Sequence, residues 1–216
     1  MSNLAIVRGV AGDLLVKQDS VASWSAIGAR EATLVQRCAA RDEVACAELV
    51  GEHQRMVVQL ALNLLGDRDE AVDLSQEVFI RVFRTIHRFR GQSTLRTWIY
   101  RIAVNQARNR QRFWRRRHRA DQVSLDVHVA THGDFASKIG TAPDRLLEQK
   151  ELGQRLQGAL DRLPFDQRTA IVLREIDGLS YDDIAFSLGV AIGTVKSRLT
   201  RARQALRADL RSEKRS

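Results

Sequence analysis

Apolar residues recur at steps of three and four from about residue 30 onward, the spacing that places them on one face of an α-helix. The first such series is Leu34, Val35, Cys38, Ala45, Leu49, Val50, Met56, Val57, Leu60, Ala61 and Leu64. Only two of the 216 residues are proline, so few positions lack the backbone N–H that a helix interior needs. No alternating run rich in Val, Ile and Thr competes with this pattern. We therefore predict an all-α fold.

Short breaks divide the first half into helices. Gly66 with Asp67 interrupts the period, and Asp69 is the predicted N-cap of the next helix. Residues 89–93 have turn chemistry, and Ser93 or Thr94 is placed to cap the helix that follows. Four helices packed as one bundle is the economical arrangement for residues 30–118.

The period disappears between residues 119 and 142, where Gly, Ser, Thr, His and Asp dominate. This change predicts two helical domains joined by a flexible linker. The expected boundaries are a flexible N-terminal extension over 1–28, a first domain over 29–118, a linker over 119–142 and a second domain over 143–212. In the second domain, Pro164 suits the first turn of a helix and Gly178 suits its C′ position.

Positive charge is concentrated in two blocks. The net charge is +9. The segment from Arg101 to Arg119 holds eight arginines and no acid, and residues 196–216 hold eight Lys or Arg against Asp209 and Glu213. Basic side chains displace counterions from phosphates, so two separated basic blocks indicate two contacts with one long polyanion.

The cysteine content fits a reducing cytoplasm. Cys38 and Cys46 lie eight residues apart in a stretch with helical periodicity. Two cysteines at that spacing along one helix are too distant to form a disulfide. We expect buried or partly buried thiols rather than metal ligands. No apolar run is long enough to cross a bilayer, and residues 1–17 are too broken by charge and glycine for a signal peptide. We expect a cytoplasmic protein.

The most specific local pattern is a helix-turn-helix over residues 178–199. Ser180 with Asp183 resembles a capping box, and Gly189 permits the positive φ of a tight turn. Val195 and Leu199 then anchor a second helix whose outer sides are polar and basic, a form that enters the major groove of DNA. Ala191, at the expected N-cap, has no capping side chain, so Thr194 is expected to serve the first turn. An ordinary helical hairpin with a solvated basic face is the alternative.

Three segments in order resemble extracytoplasmic-function sigma factors. Residues 69–84 (DEAVDLSQEVFIRVFR) resemble the helix by which that family binds core RNA polymerase. Residues 89–109 resemble its segment for opening the −10 promoter element, and residues 163–168 with the helix-turn-helix resemble its −35-binding domain. The resemblance spans about 30–210. It departs from the common pattern at Val72, where an acid is frequent, and at Phe83, where Trp is frequent.

The resemblance implies a role for each matching residue. Asp73, Gln76 and Glu77 would contact the clamp helices of the largest polymerase subunit. The −10 element would be bound by Arg90, Gln92, Ser93, Thr94, Arg101, Asn105, Arg108 and Arg112, with the loop 90–94 holding a flipped base. The −35 element would be bound by Thr194, Lys196, Ser197, Arg198, Thr200 and Arg201, with Arg198 on phosphate. The linker 119–142 would thread toward the active-site and RNA-exit channels.

The implied partners are core RNA polymerase, promoter DNA and an anti-sigma factor, often membrane-bound. No catalysis, cofactor or metal is expected of this chain. A stand-alone transcription regulator is a rival interpretation, but it explains only the second half. A metal-dependent or nucleolytic enzyme using His128 and His132 with Asp126 and Asp134 is a second rival, although these residues fall in a glycine-containing segment without a further ligand cluster.

Overall fold

A computed structural model describes residues 28–120 and 153–213. All regular structure in these two ranges is helical, which confirms the all-α prediction. Residues 1–27 of the predicted extension over 1–28 and most of the predicted linker lie outside the described residues, as do His128, His132, Asp126 and Asp134.

The first described range forms four α-helices. They are α1 (Ala29–Ala39), α2 (Glu43–Leu65), α3 (Arg68–Thr85) and α4 (Leu95–Ala120), with a 3₁₀ turn at Ile86–Arg88 between α3 and α4. The helices pack on one another, and their apolar faces meet in one core. The largest fully buried side chains of this part are Leu49, Val57, Leu60, Leu64, Leu74, Ile86, Leu95, Ile99 and Tyr100.

The second described range also forms helices. Residues 153–161 form α5, and α6 (Phe165–Ile171) continues into a π-helical turn at Val172–Ile176. Two further helices, α7 (Tyr181–Leu188) and α8 (Ile192–Glu213), complete the predicted helix-turn-helix.

Helices α2 and α3 each begin after an aspartate whose side chain accepts hydrogen bonds from backbone N–H groups of the first turn. The predicted N-cap of α3 was wrong. The carboxylate of Asp42 accepts from the backbone N–H groups of Val44 and Ala45. Asp67, not Asp69, caps α3: its backbone is extended and its Oδ1 accepts from the N–H of Glu70 at 2.8 Å. Asp69 lies within the first turn of α3, where a negative charge still favours the helix N-terminus.

The two cysteines lie on different helices, so the expectation of one continuous helical stretch was wrong. The chain turns after α1, and Arg41 takes a φ of 63° in that turn. Cys38 on α1 therefore lies beside Cys46 on α2, and both thiols are free. Burial, reinforced by the neighbouring Cys46, raises the pKa of the Cys38 thiol to about 12. The expectation of buried or partly buried thiols is confirmed.

Most turns and caps in the second half lie at the residues predicted from the sequence. The Ser180 hydroxyl accepts from the N–H of Asp183 at 3.1 Å, as a capping box requires. Gly178 and Gly189 have φ values of 72° and 65°, so both use backbone conformations that suit glycine. Pro164 occupies the N-cap position of α6 rather than its first turn. Ala191 precedes α8, and its carbonyl accepts from the N–H groups of Thr194 and Val195.

The two described ranges pack against each other, chiefly α4 on α7. Buried apolar residues from both ranges belong to one hydrophobic cluster. Arg168 of α6 is 6% exposed, and its guanidinium donates to the carbonyl oxygens of Leu64 and Asp161 at 2.8 and 2.6 Å. Burial lowers the pKa of this guanidinium, and the nearby Asp161 carboxylate opposes that effect.

A partly buried carboxylate where the ranges meet makes stability depend on pH. Burial raises the pKa of Asp177 to about 6, while Tyr100 and Arg96 favour its ionised form. The folded pKa exceeds that of an unfolded Asp, so the folded protein binds the proton more tightly. The contribution of this group to the free energy of unfolding should therefore rise as pH falls from about 7 to about 4.

The substitution Asp177→Asn mimics the protonated acid. We expect it to raise the free energy of unfolding by about 1–3 kcal/mol at pH 8 and by about half as much at pH 5. Urea unfolding at both pH values measures the difference. The matched change at exposed Asp182 serves as the control. An equal gain at both pH values would contradict the assignment.

Candidate nucleic-acid interface

The start of α4 is fixed from two directions. Thr94, one of the two residues predicted to cap this helix, accepts through its hydroxyl from the N–H of Thr97 at 3.1 Å. Glu31 of α1 accepts from the N–H of Leu95. Two backbone donors that a helix N-terminus would leave unpaired thus have acceptors. The direction of α4 is consequently set by the loop that precedes it and by α1.

The loop before α4 turns polar side chains outward around a buried anchor. Phe89 is buried, and its ring lies 5.3 Å from that of Trp98. Gly91, also buried, has a φ of 68° and reverses the chain. Ser93 in this loop is half-buried. The other predicted −10 residues of the loop are exposed, namely Arg90, Gln92 and Thr94.

The predicted −10 residues on α4 fall into two groups. Arg101, Asn105 and Arg112 are exposed. The Arg108 side chain is only 22% exposed and reaches Asp166 of α6 at 3.4 Å. The Arg101 guanidinium lies over the Phe186 ring of α7 at 5.0 Å. Part of this face therefore contacts the second half of the protein.

The predicted polymerase-binding residues share the outer face of α3. Asp73, Gln76 and Glu77 are all exposed. Glu77 is held by Arg110 of α4, whose guanidinium lies 2.5 Å from its Oε1 and also pairs with Glu70. Of the two departures from the family pattern, Val72 is exposed and Phe83 packs beside Phe79 with ring centroids 6.5 Å apart.

Arg110 is a residue that sequence reasoning missed. Its partner Glu77 lies 33 positions earlier, so no local pattern joins them. A signal was nonetheless present, because Arg110 follows Ala103 and Ala107 at helical spacing on the buried side of α4. This arginine lies at the contact between α3 and α4, where it pairs with the carboxylates of Glu70 and Glu77. It lines a polar groove of about 430 Å³ together with Asp73, Asn109 and Phe113.

Helix α8 presents most of the predicted −35 residues to the outside. Val195 and Leu199 are buried, as the helix-turn-helix interpretation requires. The exposed predicted residues are Thr194, Lys196, Ser197, Thr200 and Arg201. Arg198 differs: its side chain is 19% exposed and binds Asp166 at 2.8 Å. Arg203 pairs with Glu175 at 2.7 Å.

No group of three or more His, Cys, Asp or Glu that could hold a metal ion occurs among residues 28–120 and 153–213. No helix in this part of the chain is long and apolar enough to cross a membrane.

Comparison with known proteins agrees with this geometry. Residues 49–120 match the Sigma-70 region 2 family and residues 153–206 match the Sigma-70 region 4 family. The RNA polymerase sigma-H factor of Pseudomonas aeruginosa is 38% identical over 173 residues, covering 80% of this chain and 90% of the relative. The ECF RNA polymerase sigma-E factor of Escherichia coli is 38% identical over 174 residues, with the same two coverages of 80% and 90%.

A solved structure supports the same assignment. The sigma factor RpoE of Bartonella quintana, determined in complex with the anti-sigma factor NepR, superposes with a TM-score of 0.60 at 29% identity. That alignment covers 76% of this chain and 96% of the other. The family matches, the sequence relatives and the helical architecture thus agree. This chain belongs to the extracytoplasmic-function sigma factors, alternative sigma factors that recognise promoters for transcription initiation.

Proposed function

We propose that the chain contacts core RNA polymerase through the outer face of α3. Three features support the proposal: Asp73, Gln76 and Glu77 are exposed together, the face is acidic, and Arg110 restrains one of its carboxylates. A surface held in one conformation before binding loses less entropy when a partner docks. The partner surface would be the clamp helices of the largest subunit.

We propose that the loop 90–94 and the outer face of α4 capture the −10 element. The exposed side chains of Arg90, Gln92 and Thr94 offer donors and acceptors to an unpaired base. Taking a base out of the stack costs a few kcal/mol, and contacts in a polar loop recover part of that cost. The arginines along α4 would supply attraction to the phosphate backbone.

We propose that α8 enters the major groove at the −35 element. Lys196, Ser197 and Arg201 are exposed on a helix whose opposite side is buried. Such a helix meets base edges with some side chains and phosphates with others. Binding both elements with one chain raises the effective concentration of the second contact. The polymerase supplies all chemistry, and this chain acts by binding in the cytoplasm.

We also propose regulation by an anti-sigma factor. The relative from Bartonella quintana is known in complex with one. Co-purification of the tagged chain from unstressed cells should yield a small helical partner, free or membrane-bound. Its absence across several growth conditions would count against this part of the proposal.

The polymerase contact is tested by the double substitution Asp73→Ala and Gln76→Ala. Both residues are exposed, so the fold should persist. We expect affinity for core polymerase to fall at least about tenfold, which corresponds to about 1.4 kcal/mol. Run-off transcripts from fragments of the native genome should disappear in parallel. Asp182→Ala, which removes one exposed carboxylate from α7, should leave both measurements unchanged.

Two results of that experiment would contradict the proposal. Full core affinity in the double variant would remove α3 from the interface. Specific duplex binding by the protein alone, without any transcript in the presence of core, would favour a stand-alone regulator instead.

The −35 contact is tested by comparing two residues of α8. Lys196→Ala should reduce the dependence of log affinity on log salt by about one if Lys196 contacts phosphate. Arg201→Ala should cost about 1–3 kcal/mol and relax sequence preference at one position if Arg201 contacts a base. Holoenzyme binding to promoter duplex across a salt series measures both effects. Arg155→Ala on α5, with the same loss of charge, should change neither.

A further inference from the structure

The two cysteines of this chain lie side by side where α1 ends and α2 begins. Cys38 is in the last turn of α1, and Cys46 is in the first turn of α2. Burial raises the pKa of the Cys38 thiol, and the adjacent Cys46 thiol adds to this effect through its charge and through hydrogen bonding. Both thiols are free, and the sequence contains no other cysteine. Each is therefore the only thiol of the chain with which the other can pair.

The two thiols differ in their access to solvent. Cys38 is 3% exposed and belongs to the hydrophobic core, whereas Cys46 is half-buried and packs against that core. Both line an open pocket of about 500 Å³, together with Arg41, Phe83 and Arg84. A small reagent that enters this pocket from solvent therefore meets Cys46 before it meets Cys38.

The mouth of the pocket carries more positive than negative charge. Arg41 follows the end of α1 and Arg84 lies in the last turn of α3, and both arginines are exposed. Glu43, also exposed, is the one carboxylate among the lining residues. Two cations against one anion attract negatively charged molecules. The pocket therefore favours a small thiol-reactive compound that carries carboxylates.

We propose that Cys38 and Cys46 form a reversible dithiol–disulfide site, which a small disulfide carrying carboxylates oxidises. Protein disulfides in a reducing compartment are usually transient and often sense the redox state. A pair of neighbouring thiols, one accessible and one behind it, is the arrangement that such chemistry needs. This modification is separate from the proposed contacts with polymerase and DNA.

Oxidation takes two exchange steps. The Cys46 thiolate attacks one sulfur of the small disulfide, whose S–S bond breaks, and half of the reagent leaves as a thiolate. The Cys38 thiolate then attacks Sγ of Cys46, the mixed disulfide breaks, and the second half leaves. The two cysteines lose two electrons and the reagent gains them. Both thiol protons of the protein end on the two small thiols that are released.

Cys38 is suited to the second step rather than the first. Burial raises the pKa of its thiol to about 12, so it is poorly reactive toward compounds in solution. The neighbouring Cys46 contributes to this raised pKa, and it can no longer carry charge once it is part of a mixed disulfide. The second attack is also intramolecular, so its effective concentration is high.

A disulfide at this place would tie α1 to α2. Helix α1 buries Leu34 and Val35 beside Cys38, and its Glu31 accepts from the N–H of Leu95 at the start of α4. The cross-link thus stabilises the helix that supplies this acceptor. We expect the oxidised chain to unfold at a temperature a few degrees higher than the reduced chain. Equal midpoints of thermal unfolding would overturn this consequence.

Peptide mapping tests the disulfide directly, because trypsin separates the two cysteines. Cleavage after Arg37, Arg41 and Arg55 places them in peptides 38–41 and 42–55. The full chain is reduced, freed of reductant, incubated with oxidised glutathione, and alkylated before digestion. We expect the two peptides to be joined in monomeric protein and to separate after treatment with dithiothreitol. Cysteines that remain free, or that join two chains, would overturn the proposal.

Single substitutions test the order of the two steps. Cys38→Ser should accumulate a glutathione adduct on Cys46, because the thiol that resolves it is gone. Cys46→Ser should keep a free Cys38 over the same time, because that thiol is buried. Circular dichroism shows that each variant is folded. An adduct that forms on Cys38 as fast as on Cys46 would overturn the assigned order.

The charge of the pocket is tested by Arg84→Glu against Arg81→Glu. Both arginines are exposed on α3, but only Arg84 lines the pocket. At low ionic strength we expect Arg84→Glu to slow oxidation by glutathione disulfide at least about threefold relative to Arg81→Glu. With uncharged hydroxyethyl disulfide the two variants should react at equal rates. Equal rates with glutathione disulfide as well would overturn the preference for carboxylates.

Discussion

The position of α4 depends on acceptors supplied by two other parts of the chain. Glu31 of α1 and Thr94 of the preceding loop accept from the first backbone donors of α4. Because the helix is rigid, fixing its start also fixes where its arginines lie farther along. Arg110 then connects α4 to the acidic face of α3, and Arg108 connects it to Asp166. One helix thus belongs to the proposed polymerase contact, the proposed −10 contact and the packing of the two halves.

The arginines of this basic chain fall into three groups according to their burial and their partners. Arg110 and Arg168 lie largely buried and join helices through carboxylates or backbone carbonyls. Arg101 and Arg108 lie on the proposed DNA face while contacting the second half. Arg112 and Arg201 are exposed. The net charge of +9 therefore does not by itself show which arginines are exposed. Net charge indicates a polyanionic partner, but only burial and pairing reveal which cations remain available.

The helices, their faces and most of their ends were predictable from sequence. Periodicity located the core residues, and Ser180, Gly178 and Gly189 marked real turns because their chemistry acts within a few residues. One error concerned the N-cap of α3, for which Asp67 and Asp69 were both possible residues. The other concerned the turn between Cys38 and Cys46, which interrupts what the sequence presents as one continuous helix. Arg110 and Asp166 could not be assigned, since their partners lie 33 and 58 residues away. The assignments of individual residues to polymerase and DNA remain predictions.

The π-helical turn at Val172–Ile176 has a consequence for the geometry of the helix-turn-helix. A π turn accommodates one residue more than an α turn, and here the N–H of Asp177 reaches back five positions to Val172 at 3.1 Å. Each residue of an α-helix rotates the chain by about 100°. Loss of a single residue from this turn would allow a regular α-helix and would re-aim everything after it by roughly that angle. The orientation of the proposed recognition helix is therefore sensitive to the length of the helix that precedes the helix-turn-helix.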